Sequence, residues 1–253
     1  MIESSYYNKQ FYGSMQDGSL RSARMIVPLL NSLFKPKSVI DIGCGIGLWL
    51  KVWIEDIGLT DVMGLEGPYI TKEMLCVPAE NIMFVDLKEK INISKHFDLV
   101  TSFEVAEHLP ETAANSFVKQ LTSLGKVIAF SAAIPGQGGT YHINEQYPEY
   151  WAKKFAEHGY VPIDYMRPII WNNTDIDWWY RQNILIYIQS DKLKEYDNLK
   201  ASATNTNPDY LLRVHPLLWE HQQKHILKTK SLIGFLRWKL YPLKLMTKRI
   251  FTK

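Results

Sequence analysis

Ser38-Val39-Ile40-Asp41-Ile42, then Gly43-Cys44-Gly45-Ile46-Gly47, then Leu48-Trp49-Leu50 is the stretch that decides the fold. A short apolar strand runs into a glycine-rich turn, and the turn opens a helix. Glycines at such a turn let the backbone bend tightly and approach a ligand closely. In an open α/β sheet, ligands bind beyond the carboxyl ends of the strands, which is where this turn lies. The dinucleotide fingerprint G-x-G-x-x-G would need a glycine at position 48, which is Leu48. The spacing here is G-x-G-x-G, with Asp41 two residues before the first glycine.

Outward from that turn, strand and helix patterns alternate. Residues 22–34 are apolar at helical spacing (Ala23, Ile26, Val27, Leu30, Leu33), and Pro36 ends the run. Strands are predicted at 38–42, 61–66, 82–85, 97–102 and 126–131, with helices at 48–57, 110–124 and 147–158. Two more strands, 160–170 and 183–188, are joined by a Trp-rich loop without helical pattern. The expected architecture is therefore Rossmann-like α/β. A seven-stranded, mostly parallel sheet carries an antiparallel edge hairpin, has helices on both faces and bears a C-terminal helical extension. The domain plan is a cap segment at 1–21, the catalytic domain at 22–190, a polar linker at 191–220 and a basic tail at 221–253.

Three acids fall at successive strand ends: Asp41, Glu66 and Asp86. Glu66 can accept both hydroxyls of a ribose. Asp86, with Leu87 beside it, can accept from an adenine amine, and Asp41 suits the positive end of a ligand. Together with Phe97-Asp98-Leu99-Val100 and Phe103-Glu104-Val105-Ala106-Glu107-His108-Leu109, this series resembles the class I S-adenosylmethionine (SAM) dependent methyltransferases over residues 22–190. The resemblance implies SAM as cofactor. It implies a cofactor site built from Asp41, Gly43, Cys44, Gly45, Glu66, Gly67, Asp86, Leu87, Ser102, Phe103 and Glu104.

Methyl transfer from a sulfonium is a displacement on an activated donor, so the protein mainly supplies alignment. A hydroxyl nucleophile is helped by a base, for which His108 and His142 are the candidates. The loop around His142 also offers Gln137, Tyr141, Asn144 and Glu145 as acceptor-binding groups. The stretch from Ile134 to Trp151 resembles bacterial methyltransferases of polysaccharide and natural-product biosynthesis, which implies a sugar, glycan or other small-molecule acceptor. No metal ligand set is evident from the sequence. The competing readings are an NAD-dependent sugar epimerase or oxidoreductase, opposed by the missing third glycine, and a SAM-binding protein without catalysis.

The 253 residues are 46% hydrophobic and 22% charged, ordinary for a globular protein and unlike a disordered or fibrous one. Two cysteines exclude a disulfide framework. The start, Met1 to Tyr7, lacks the basic and apolar pattern of a signal peptide, and no apolar run of spanning length occurs, so a cytoplasmic setting is expected. The net charge of +3 conceals an asymmetry, because residues 221–253 hold nine Lys/Arg and no acid. The rest of the chain is −6, which does not suit nucleic acid. Leu232, Leu236, Leu240, Leu243, Met246 and Ile250 share one helical face of the tail. That face is read either as peripheral contact with the inner membrane surface or as packing on protein.

Overall fold

The structure is a computed structural model that describes residues 9–89, 91–224, 226, 227 and 229. The chain divides into one unit up to Arg213 and a second from Val214 onward. The first unit contains a seven-stranded sheet of order β3-β2-β1-β4-β5-β7-β6. Its strands are β1 (Val39–Ile42), β2 (Val62–Glu66), β3 (Ile82–Phe84), β4 (Leu99–Phe103), β5 (Val127–Ser131), β6 (Tyr160–Ile163) and β7 (Leu185–Gln189). The first five are parallel, and β7 runs antiparallel to both β5 and β6. The expected mixed sheet with its antiparallel edge pair is the one observed.

Both faces of the sheet are covered. On one side, Val39 and Leu99 pack with helices α1 (Lys9–Phe34) and α2 (Leu48–Glu55). On the other, Ile40, Ile42 and Val100 pack with α3 (Ala114–Leu124) and α4 (Pro148–Ala156). All four β1 residues are buried, as expected of a central parallel strand whose successive side chains enter opposite cores. The chain leaves β1 toward β2 and β3, then returns to place β4 on β1's other side. A crevice therefore opens beyond the carboxyl ends of β1 and β4.

Three features differ from the sequence reading. Helix α1 runs without interruption from Lys9 to Phe34, so the expected boundary between 21 and 22 falls inside it. The segment expected as a strand to 170 turns after Ile163 into α5 (Met166–Ile170), and the Trp-rich loop contains α6 (Trp178–Asn183). The linker expected at 191–220 is instead held to the domain as far as Arg213, through α7 (Lys200–Asn205) and a buried anchor. Arg167, 2% exposed, pairs with Asp164 through two bonds of 2.8 Å and donates to the Leu211 carbonyl at 2.8 Å. Glu149 accepts the backbone N–H groups of Leu211 and Leu212, each at 2.7 Å. A polar composition concealed these contacts, because the partners are single buried side chains far away in sequence. The tail from 230 onward lies outside the described residues, and no helix among the described residues is long and apolar enough to cross a membrane.

Asp41 is the polar exception inside β1. It sits opposite Thr101 of β4, whose hydroxyl donates to Oδ1 at 2.7 Å. Burial, with a smaller push from Glu66, raises its carboxyl to about 7. A raised acid is a stability term: the folded protein keeps its proton where the unfolded chain has released it. The contribution is complete below about pH 4 and disappears as the pH rises through 7. Asp41→Asn keeps the acceptor oxygen and removes the titration. Between pH 5 and 8 the variant's unfolding free energy, from urea titrations, should fall less than that of the parent, by on the order of 2 kcal/mol. Parallel pH profiles for the two proteins would contradict the assignment.

Candidate active site

The glycine turn gains its shape from two close approaches. Gly43 has φ +77°, and a Cβ there would lie 2.4 Å from Val105, in the segment after β4. Gly47 has φ +87° and caps α2, where a Cβ would meet Val77 at 2.7 Å. The Gly43 and Cys44 N–H groups both donate to the Leu65 carbonyl, at 2.8 and 3.1 Å, which joins the turn to the end of β2. There Glu66, 3% exposed, binds it: the Gly45 N–H donates to Oε2 at 2.6 Å, and the Gly67 N–H donates to Oε1 at 2.7 Å. The Tyr69 hydroxyl donates to the same Oε1. Burial outweighs these three donors and raises the Glu66 carboxyl.

A cleft of about 740 Å³ opens above the turn. Gly43, Cys44, Gly45, Glu66, Gly67, Asp86, Leu87, Phe103 and Glu104 line it, which brings nine of the eleven expected cofactor residues to one surface. Asp86 sits at the exposed end, where its Oδ1 accepts the Lys88 N–H at 2.9 Å. Asp41 and Ser102 do not line the cleft. Strand alternation directs Asp41 onto Thr101 beneath the turn, and the Ser102 hydroxyl donates to the Ile42 carbonyl at 3.0 Å. Both fasten β1 to β4, the two strands that flank the crevice.

The far wall is built after β4 and β5. Glu104 follows β4 in a left-handed conformation, φ +55°, uncommon for a side-chain-bearing residue. Its carboxylate accepts from Gln137 Nε2 at 2.7 Å and from Asn183 Nδ2 at 3.1 Å. Asn183 also donates to Gln137 Oε1 at 2.8 Å, closing a ring of three. Gln137 faces the cleft, but both ends of its amide are engaged in this ring, so it orients Glu104. Burial raises Glu104 despite these donors.

His108 and His142, from separate segments, meet edge to face with ring centroids 4.9 Å apart, and both line the cleft. His108 Nδ1 lies 3.2 Å from the Tyr141 carbonyl, and His142 Nδ1 lies 3.0 Å from Glu145 Oε1. Burial first, and the neighbouring His142 second, lower His108 to about 4, so it is neutral at physiological pH.

Two expected acceptor-binding groups are placed elsewhere. Glu145 accepts the N–H groups of Gly136 and Gly138, each at 2.7 Å, and holds the loop in shape. Asn144 is 4% exposed and accepts from Gln146 at 3.0 Å. Tyr141 does line the cleft, with φ +60°.

Sequence reasoning missed several lining or supporting residues. Trp49 and Tyr180 form an aromatic wall with Phe103, the Trp49 and Phe103 rings being 4.4 Å apart. Asn183 lies in α6, where no loop reading would look for it. Glu107 stands one residue before His108, within the stretch after β4, and is fully buried.

The methyltransferase-domain family matches residues 16–168. No curated protein sequence matches the chain. Among solved structures, DesVI of Streptomyces venezuelae superposes with a TM-score of 0.53 at 14% identity, over 74% of this chain and 98% of DesVI. The plantazolicin methyltransferase BpumL, in complex with a pentazolic desmethylPZN analog and SAH, gives 0.51 at 16% identity, over 74% of this chain and 90% of BpumL. SAM-bound CalS10 of Micromonospora echinaspora, an amino pentose methyltransferase, gives 0.50 at 14% identity, over 66% and 90%. These likenesses concern the fold. The family match spans more than half of the length, and the chain belongs to the methyltransferase-domain family, as a class I S-adenosylmethionine-dependent member.

Proposed function

We propose that the chain moves a methyl group from SAM to a hydroxyl of a sugar, glycan or other small-molecule acceptor. The observation that carries this reading is a single cleft. It joins the glycine turn, Glu66 and Asp86 at one end to Glu104, His108 and His142 at the other. A donor held by the first group of residues would lie in the same cleft as the second, and such proximity is what displacement requires.

The residues present fit the cofactor. The cleft volume lies in the range of small-molecule sites. Side chains at Gly43 or Gly47 would collide with neighbours, so the backbone floor depends on their absence. A ribose diol brings the same kind of donor to Glu66 that Tyr69 supplies in this structure. When bound, SAM supplies an electrophilic methyl group. Glu66 would bind the ribose, Asp86 would accept from the adenine amine, and Leu87 with the Trp49–Phe103–Tyr180 wall would exclude water. His142, oriented by Glu145, faces the acceptor side and assists a hydroxyl there. The names of CalS10, an amino pentose methyltransferase, and BpumL, a plantazolicin methyltransferase, support a sugar or other small-molecule acceptor.

Isothermal titration tests the cofactor assignment. SAM should bind and NAD should not, and Glu66→Ala should weaken SAM by about 1.5–3 kcal/mol through loss of charged hydrogen bonds. Unchanged affinity in the variant would remove Glu66 from the site. Incubation of labelled SAM with cell-envelope extract should transfer label to a glycan or sugar fraction, and His142→Ala should lower that turnover while SAM affinity holds. Tight SAM binding without label in any fraction would favour a non-catalytic SAM-binding protein.

The acceptor class also gives the tail a role. The nine basic residues and the apolar series of 221–253 suit an anionic lipid surface, which would bring the enzyme to lipid-linked glycans at the inner face of the membrane. The intact protein should co-sediment with anionic liposomes in low salt, and removal of 221–253 should abolish it. An intact protein that stays in the supernatant would refute the membrane role.

A further inference from the structure

Glu107 has no place in the cofactor assignment, yet it is fully buried beside the cleft, and neither carboxylate oxygen has a hydrogen-bond partner. An unsatisfied buried carboxylate is costly, and natural proteins pair such groups or give them a cation. The backbone N–H groups of Glu107 and Ala133 face it without reaching hydrogen-bond geometry, and Glu104 adds a second negative charge nearby. Neither carboxylate forms an ion pair with a lysine or arginine among the described residues.

A carboxylate oxygen of Glu107 and one ring nitrogen from each of His108 and His142 all lie within 4.8 Å of one another. The two imidazoles are prepared in the way metal-ligating histidines are. Nδ1 of His108 faces a backbone carbonyl and Nδ1 of His142 faces a carboxylate, so each Nδ1 carries the hydrogen and each Nε2 the lone pair. The backbone fixes the two segments together, because the Glu107 carbonyl accepts the N–H groups of Ile143 at 2.9 Å and Asn144 at 3.0 Å. We propose that Glu107, His108 and His142 form a site for a divalent first-row transition cation in the acceptor wall of the cleft. Two imidazoles and a carboxylate suit such a cation better than they suit Ca²⁺, which prefers an all-oxygen shell.

The sequence reading had identified no metal ligands, because the spacing of Glu107 and His108 is uninformative until the loop brings His142 to them. This site deepens the proposed function and rests on it for its role. A cation here takes the acceptor hydroxyl as a further ligand and lowers its pKa. In the transfer, the hydroxyl oxygen bonds the methyl carbon and the carbon–sulfur bond breaks with its electron pair going to sulfur. The hydroxyl proton leaves to water.

The full chain, stripped with chelator and dialysed, is titrated with Mn²⁺ while the electron paramagnetic resonance signal of free Mn²⁺ is followed. One equivalent should be taken up. Glu107→Gln, which keeps size and shape, and His142→Ala should each weaken uptake by at least tenfold. Glu145→Gln, which alters the carboxylate that orients His142 and holds its loop, should weaken it by about 10–100-fold. SAM titration of each variant verifies folding, and affinities should match the parent. Uptake that is absent from the parent, or equal in parent and variants, overturns the site. Uptake with the expected variant pattern, in a protein that does not bind SAM, upholds the cation site and refutes the methyl-transfer reading instead.

Discussion

The structure depends on one carboxylate. Glu66 ends β2 and receives the Gly45 N–H from the turn after β1, so a single buried side chain fixes the floor of the cleft to the neighbouring strand. Backbone bonds add to the same join, because the Gly43 and Cys44 N–H groups both donate to the Leu65 carbonyl, at 2.8 and 3.1 Å. With Glu66 and these bonds in place, the positive φ of Gly43 and the left-handed cap at Gly47 are held in one arrangement. The cost is a charge buried in an apolar setting, visible in the upward shift of its carboxyl. The compensation is three donors, the Gly45 and Gly67 N–H groups and the Tyr69 hydroxyl.

The opposite wall solves a similar problem differently. Glu104 is held by two side-chain amides, Gln137 and Asn183, contributed by a loop after β5 and by α6 before β7. Two separate segments thus converge on one carboxylate, and the left-handed backbone at Glu104 persists because they hold it in place. The same region carries Tyr141 in a second left-handed conformation, directly before His142. Strained backbone, buried acids and paired imidazoles concentrate within one wall, while the other is made of glycines and a strand-end acid. That division of labour is what a two-substrate transfer needs.

Much of the fold was legible because parallel strands buried on both faces read as short apolar runs, and each was bounded by glycine, proline or aspartate. The turn at 43–47 was legible for the same local reason, as were the positions of Glu66, the last residue of β2, and Asp86, two residues beyond β3. The misreadings have a common cause in contacts between distant residues. Asp41 looked like a ligand because it precedes the turn, but its alternation within β1 directs it to Thr101. Glu145 looked like an acceptor group because it lies in a polar loop, but two glycine N–H groups and His142 surround it. The stretch 191–213 looked like a linker because its anchors are Arg167 and Glu149, both far upstream. Glu107 lies in a stretch that the sequence singles out, but its burial does not show there, since a buried unpartnered acid is indistinguishable in sequence from one on a helical turn.

The central claim is that the rim formed by the ends of β1, β2 and β3 holds the nucleoside of a methyl donor. A crystal structure with S-adenosylhomocysteine bound tests it most directly. The account predicts density for the ribose hydroxyls against Glu66, with the adenine edge at Asp86 and the sulfur directed toward Glu104. Ribose density away from Glu66, or a ligand seated outside this cleft, would contradict it.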